Sequence, residues 1–254
     1  MLGFLFYLVC YPLLLFGGLR LGGALAKRMH EHGRNWAPLG VEGGLLGFYG
    51  LLISFTLVQA SNQGHDRTTN IYEISDRMSL LFRKSRIYDP ELQGKVKNYM
   101  SGLFKLQLEK GYKSVEEMRE TIQTVNALDE VLDEYIIQTL AVHPEKRAEL
   151  TELINVTEQI ETSYFKLIHS YHRKSPALVL FILILFSLLM SVLLGYIRRI
   201  HKFNIHITTV TFTVISYVLI NVIHDMGSPN IGFLRPNFED IREVQEVFDN
   251  YYNR

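Results

Sequence analysis

The sequence predicts an all-α membrane protein. Four transmembrane helices carry a helical-bundle soluble insert between the second and third, and the protomers assemble as a homo-oligomer. Three observations lead there. Residues 176–197 form a run of 22 without one charged side chain. At about 1.5 Å per residue, such a run crosses a hydrocarbon core of roughly 30 Å. The middle of the chain is instead dense in Lys, Arg, Asp and Glu. The overall 48% hydrophobic content and zero formal charge average these two kinds of segment. The predicted boundaries are 1–61 for membrane helices 1 and 2, 62–174 for the insert, 175–224 for helices 3 and 4, and 225–254 for a C-terminal turn and short amphipathic helix.

The first helix is expected over residues 2–26, with Pro12 as a kink and Arg20 in its last third. An Arg there either snorkels to the interface or faces a pore or anion. Residues 1–18 carry no charge, so they lack the basic start of a signal peptide and read as a retained membrane helix. Cys10, the only cysteine, excludes an internal disulfide and cysteine-based metal centres. In its apolar run it reads as a small buried hydrophobe.

The second helix, about residues 40–60, holds Gly40, Gly43, Gly44, Gly47 and Gly50, and Ser54 continues the spacing. Small residues let membrane helices approach closely. The third helix repeats the device with Ser187, Ser191 and Gly195. The fourth, 205–223, carries Thr208, Thr209, Thr211, Thr213, Ser216, Tyr217 and Asn221. So polar a membrane helix should face protein or water.

Four insert helices are predicted, at 64–87, 90–111, 114–142 and 144–173. Asp89-Pro90 gives a cap followed by proline at the first helical position. Ser114 to Glu117 has the capping-box pattern, and His143-Pro144 marks a restart. The first insert helix is placed to continue the second membrane helix. No strand-period segment beyond a few residues and no internal repeat is present. Lys and Arg counts near the helix ends do not fix the orientation.

The sequence contains no HExxH, phosphate-binding loop, GxSxG or dinucleotide fingerprint. A non-enzymatic role without a cofactor is therefore expected. His169 and His172 share a helix at i, i+3 but have no third metal ligand nearby in sequence. Charge in the insert is segregated. Residues 63–113 hold ten Lys/Arg against six Asp/Glu, and residues 114–162 hold three against twelve. Either the two halves attract each other, within the bundle or across subunits, or the first half binds an anion. On the second reading the ligand site is Arg83, Lys84, Arg86, Lys95 and Lys97, with Tyr88 and Tyr99 offering aromatic faces to bases. The pore-lining candidates are Gly43, Gly47, Phe48, Gly50, Leu52, Ser54 and Phe55, joined by Asn221 and Asp225 at the end of the fourth helix. Apolar constrictions can gate by dewetting; ordinary packing is the alternative.

The glycine-rich second helix leads through Ser54-Phe55 to His65-Asp66-Arg67 and Glu73. An Asp225-x-x-x-Pro229-x-x-Gly232 exit follows the fourth helix. Over about residues 40–245 the chain thus resembles the bestrophin-like family of bacterial membrane proteins. The family's usual Arg before the exit proline is Ser228 here. The resemblance implies kinship with oligomeric anion channels, here expected as a tetramer or pentamer. It also implies a bacterial inner-membrane location with insert and termini in the cytoplasm. A Hailong-type anti-phage role follows from it too, with a nucleotide or single-stranded DNA oligomer as ligand and a nucleotidyltransferase as functional partner. The expected function is an ion channel gated by a ligand on the insert. A non-conducting scaffold or sensor is the main alternative. A transporter would need inverted repeats that this sequence does not show.

Overall fold

The computed structural model describes residues 6–32, 40–109, 115–172, 177–200, 206–227 and 237–253. Among these residues the fold is helical throughout, with no strand. A π-helical turn, Phe6–Cys10, leads into α1, Tyr11–Glu31. The other helices are α2 (Val41–Ser85), α3 (Pro90–Glu109), α4 (Val115–Val142), α5 (Arg147–His172), α6 (Ala177–Ile200), α7 (His206–Gly227) and α8 (Glu239–Tyr252). Four of them, the first including its π-turn, are long and apolar enough to cross a membrane: Phe6–Glu31, Val41–Ser85, Leu178–Ile200 and Ile207–Gly227.

The chain divides into two compact units. One comprises Met1–Gly64 and Lys174–Leu234, and the other His65–Arg173 and Arg235–Arg254. Helix α2 contributes to both, because nothing between Val41 and Ser85 breaks it. Its residues contain no proline, and Gly40, at φ +77°, turns the chain into its first turn.

In the first unit, α1 and α6 cross at very short range. A Cβ on Gly22 would lie 1.9 Å from the Val192 carbonyl oxygen, and one on Gly195 would lie 2.1 Å from that of Leu19. Only glycine fits either position. Polar side chains close the same seam: the Tyr11 hydroxyl donates to Ser187 Oγ (3.0 Å), and Ser191 donates to the Leu15 carbonyl. Helix α7 buries Thr209, Thr213 and Ser216, and the Tyr49 hydroxyl of α2 donates to Ser216 Oγ (3.1 Å). The polar residues of this unit divide: Ser187, Ser191, Thr209, Thr213 and Ser216 face protein, while Ser54, Thr208 and Thr211 stand among apolar residues on the exterior. Cys10 belongs to that exterior. It is exposed, not buried as its apolar neighbours suggest, because the outer wall of a membrane unit is itself apolar. Pro12 directly follows the π-helical turn, and the carbonyl four residues before it, that of Leu8, accepts from the Tyr217 hydroxyl (3.4 Å) in place of the N–H that proline lacks.

The second unit has a conventional apolar core, built from Ile71, Ile74, Met78, Leu103, Ile160, Leu167 and their neighbours. Asp89 accepts from the Leu92 and Glu91 backbone N–H groups at the start of α3 and from Lys146 Nζ (2.7 Å) before α5. The Lys146 ammonium, with the backbone donors, holds the Asp89 carboxyl below its ordinary value. The predicted capping group at Ser114 lies outside the described residues.

The C-terminal helix α8 is part of this core. Ile241 and Phe248 are fully buried, and Phe248 packs against Phe82 and Phe104 at ring-centroid distances of 5.5 and 5.3 Å. The sequence shows the amphipathic pattern of α8 but not its partner.

Candidate pore face and insert surface

Helix α2 sorts its membrane residues by face. Tyr49, Ile53, Thr56 and Ala60, spaced i, i+4, i+7, i+11, are buried. They pack on α1, α6 and α7 through Tyr11, Leu180, Leu183, Ile220 and Ile223. At about 100° per residue, Gly43, Gly47, Gly50 and Ser54 stack in a different row, roughly a third of a turn away. All four are exposed, and a Cβ on Gly43, Gly44, Gly47 or Gly50 would meet nothing within 4 Å. The Ser54 hydroxyl folds back onto the Gly50 carbonyl (2.9 Å).

The seven α2 residues predicted to line a pore therefore do not share one face. Phe48 leans on Phe186 of α6, with ring centroids 5.5 Å apart. Leu52 is partly buried against the unit's core. Phe55 is 67% exposed, about 100° around the helix from Ser54. At the end of α7, Asn221 donates to the Tyr7 carbonyl (3.3 Å) and to that of Tyr217 (2.8 Å). Asp225 is 6% exposed. Both are engaged inside the protomer. Of the predicted exit motif, Ser228, Pro229 and Gly232 lie outside the described residues.

The insert candidates also divide. Arg83 and Arg86 are exposed, and Lys84 pairs with Glu152. Tyr88 and Tyr99 are 7% and 2% exposed. Their rings are core, with no face offered to a base. The cations find other aromatic partners. Arg86 lies over the Tyr251 ring at 4.9 Å, Lys97 over Tyr252 at 4.5 Å, and Lys95 over Tyr135 at 5.3 Å. The cation–aromatic surface that the sequence places within residues 83–99 is thus completed by α8 at Arg86 and Lys97 and by α4 at Lys95. The signal available in sequence was the i, i+3, i+4 spacing of Phe248, Tyr251 and Tyr252.

Two residues of the predicted helix-end motif have clear work. Arg67 is buried, donates Nε to the Ser170 carbonyl (3.2 Å), and lies 5.8 Å from the Tyr171 ring. Glu73 accepts from Ser163 Oγ (3.3 Å) and pairs with Lys166 at 3.7 Å. Both join α2 to α5. His65 and Asp66, just before Arg67, are exposed.

Residues 43–235 match the family model of the Bestrophin-like domain. No curated protein and no solved structure matches the chain.

Proposed function

This chain belongs to the Bestrophin-like family, and from that premise we propose that it forms a homo-oligomeric ion channel gated by a ligand on its helical insert. The family includes ion channels and its members are oligomers. The observation that carries the reading is the open row on α2. Glycines in a membrane helix give up apolar surface in exchange for close approach, yet a Cβ on Gly43, Gly47 or Gly50 would meet nothing within 4 Å among the described residues. Subunit packing around an axis, with this row lining or bordering the lumen, gives them a purpose. Four or five protomers is the proposed number, and the reading is non-enzymatic.

Gating requires a ligand that binds the open and closed states with different affinity. The unbroken α2 supplies a covalent path, since a shift of residues 65–85 is carried by the same helix into residues 41–64. The proposed ligand is a nucleotide or a short single-stranded DNA oligomer. It would sit on Arg83, Arg86, Lys95 and Lys97 beside the exposed ring of Tyr251, with phosphates on the cations and a base on the ring. The proposed setting is the bacterial inner membrane, with insert and termini cytoplasmic. There the channel would act as an anti-phage effector that depolarises the cell, controlled by the product of a nucleotidyltransferase.

The test is ion flux from liposomes containing the purified protein, with and without short single-stranded DNA and cyclic or linear oligonucleotides. Flux switched by such a ligand, and no longer switched after Arg86→Glu, supports the reading. Absent flux from intact oligomers would reassign the glycine row to a sealed seam and the protein to a scaffold or sensor.

A further inference from the structure

Arg20 lies well inside the span of α1, and the packing of α1 on α6 gives its depth. A Cβ on Gly18 would lie 2.9 Å from Ser191 Oγ, and one on Gly22 would lie 1.9 Å from the Val192 carbonyl oxygen. Arg20, midway between these glycines, is therefore level with residues 191 and 192 of α6. The two helices run parallel, since Tyr11 meets Ser187 and Leu15 meets Ser191. Beyond this level the first charge on α6 is Arg198, six residues past Val192, and on α1 it is Lys27, seven residues past Arg20. At about 1.5 Å per residue, both helices place Arg20 roughly 10 Å inside the boundary where charge begins.

The face that Arg20 occupies is a second, separate observation. Leu13, Phe16, Arg20 and Lys27 recur at i, i+3, i+7 and i+14, so they share one row of α1, on the side away from Gly18 and Gly22. All four are exposed. Among the described residues the Arg20 side chain forms no ion pair and no hydrogen bond. A guanidinium in hydrocarbon is costly and takes a partner of opposite charge, yet the row between Leu13 and Lys27 holds no acid.

We propose that Arg20 and Lys27 hold the phosphate of an anionic phospholipid whose acyl chains lie along Phe16 and Leu13. An arginine stem in a membrane extends toward the boundary, and the Cα–Cβ bond of Lys27 tilts back toward the helix N-terminus. The two side chains therefore converge on one phosphate between their levels, with the planar guanidinium able to donate to two of its oxygens. Lys27 is available for this. Its contact with Glu31, at 3.9 Å, joins two exposed groups, and such pairs contribute little. Arg28 on α1 and Arg198 and Arg199 on α6 are exposed at the same boundary, where Glu31 is the one acid on the described parts of these two helices. That excess of positive charge selects an anionic headgroup over a zwitterionic one. The apolar half of the row distinguishes a lipid from a free phosphate ion.

The test is native mass spectrometry of the full-length, delipidated protein in detergent, titrated with phosphatidylglycerol or with phosphatidylcholine of the same chains. Wild type should bind phosphatidylglycerol at least tenfold more tightly than phosphatidylcholine. Arg20→Gln should remove that preference, Lys27→Gln should reduce it severalfold, and Arg20→Lys should restore part of it. Lys105→Gln, an exposed lysine of α3 in the insert, should leave it unchanged. Equal binding of the two lipids by wild type would overturn the proposal, as would an undiminished preference in Arg20→Gln. Inorganic phosphate should not displace the lipid at equal concentration; displacement would mark a bare anion site and overturn it too. A changed subunit number in Arg20→Gln with the lipid preference intact would assign Arg20 to a subunit contact instead. The readout is lipid binding, so a flux result of either sign leaves it intact.

Discussion

Two glycine rows in the membrane unit look alike in sequence and differ in structure. The row on α1 and α6 is filled: added methyl groups at Gly22 or Gly195 would strike backbone atoms of the opposite helix. The row on α2 is empty: a Cβ on Gly43, Gly47 or Gly50 would meet nothing within 4 Å among the described residues. Small residues in the first row build the protomer. Those in the second make no such contact among the described residues, and on the proposed reading they meet another subunit or a lumen. The insert repeats the contrast. Its basic, aromatic side is closed by α8 through Phe248, Tyr251 and Tyr252, while its acidic side on α4 and α5 is an open groove lined by Asp129, Asp133 and Glu161.

The comparison breaks most visibly by substituting one glycine in each row. Gly22→Leu should prevent the α1–α6 crossing altogether, at more than the ~1–3 kcal/mol of an ordinary overpacked core. Loss of a folded, detergent-stable protomer in thermal unfolding is the expected result. Gly47→Leu should leave protomer unfolding unchanged and instead reduce assembly or flux. Equal damage from both would show that the empty row packs inside the protomer after all.

The closed side of the insert comes next in size. Phe248→Ala removes a buried ring and should destabilise the insert by about 3–5 kcal/mol, read by chemical denaturation. A loss under about 1 kcal/mol would mean that α8 is not part of this core.

A smaller effect separates the open side. Burial, with the neighbouring charges of Glu161 on α5 and Asp133 on α4, raises the Asp129 pKa from 3.8 to about 7, against a hydrogen bond from Tyr99 on α3 that lowers it. The folded state therefore binds the extra proton between those values. The stabilisation this supplies is complete below about pH 4 and is lost as pH rises through 7. Asp129→Asn should raise the melting temperature relative to wild type at pH 8 and change it little at pH 4. An unchanged difference between the two pH values would contradict the burial of this carboxyl.

The smallest change tests the polar closure of the filled row. Tyr11→Phe removes the hydroxyl donated to Ser187, and hydrogen bonds between membrane helices average about 0.6 kcal/mol. A matching small loss in equilibrium unfolding is expected, whereas Ser54→Ala on the empty row should cost the protomer nothing measurable.

Much of this fold is legible in the sequence because the signals are strong and local. The uncharged run at 176–197 specifies α6, and Asp89-Pro90 specifies the start of α3, where the predicted cap forms. The row Gly43, Gly47, Gly50, Ser54 is equally readable. What the sequence does not give is the direction in which a patterned face looks. Tyr99 lies near lysines in the sequence, yet it stands three residues after Val96 and four before Leu103, on the buried stripe of α3. Proximity in sequence to cations does not turn a ring outward when the helical period turns it inward. In the same way, Phe48 and Leu52 share a segment with the glycines but not a face. The amphipathic pattern of α8 announces that one side is apolar and leaves open what covers it.

The central claim, that the empty row of α2 faces a conducting path, is tested most directly by thiol modification. With Cys10→Ser as background, the chain contains no cysteine. Ser54→Cys or Gly47→Cys then places one thiol on the empty row, and Phe181→Cys places one on the exposed side of α6. Current through planar bilayers is recorded while a charged, water-soluble thiol reagent is added. Block at positions 47 and 54, with no effect at 181, is the predicted result. Current that persists after complete labelling at both α2 positions would contradict the claim.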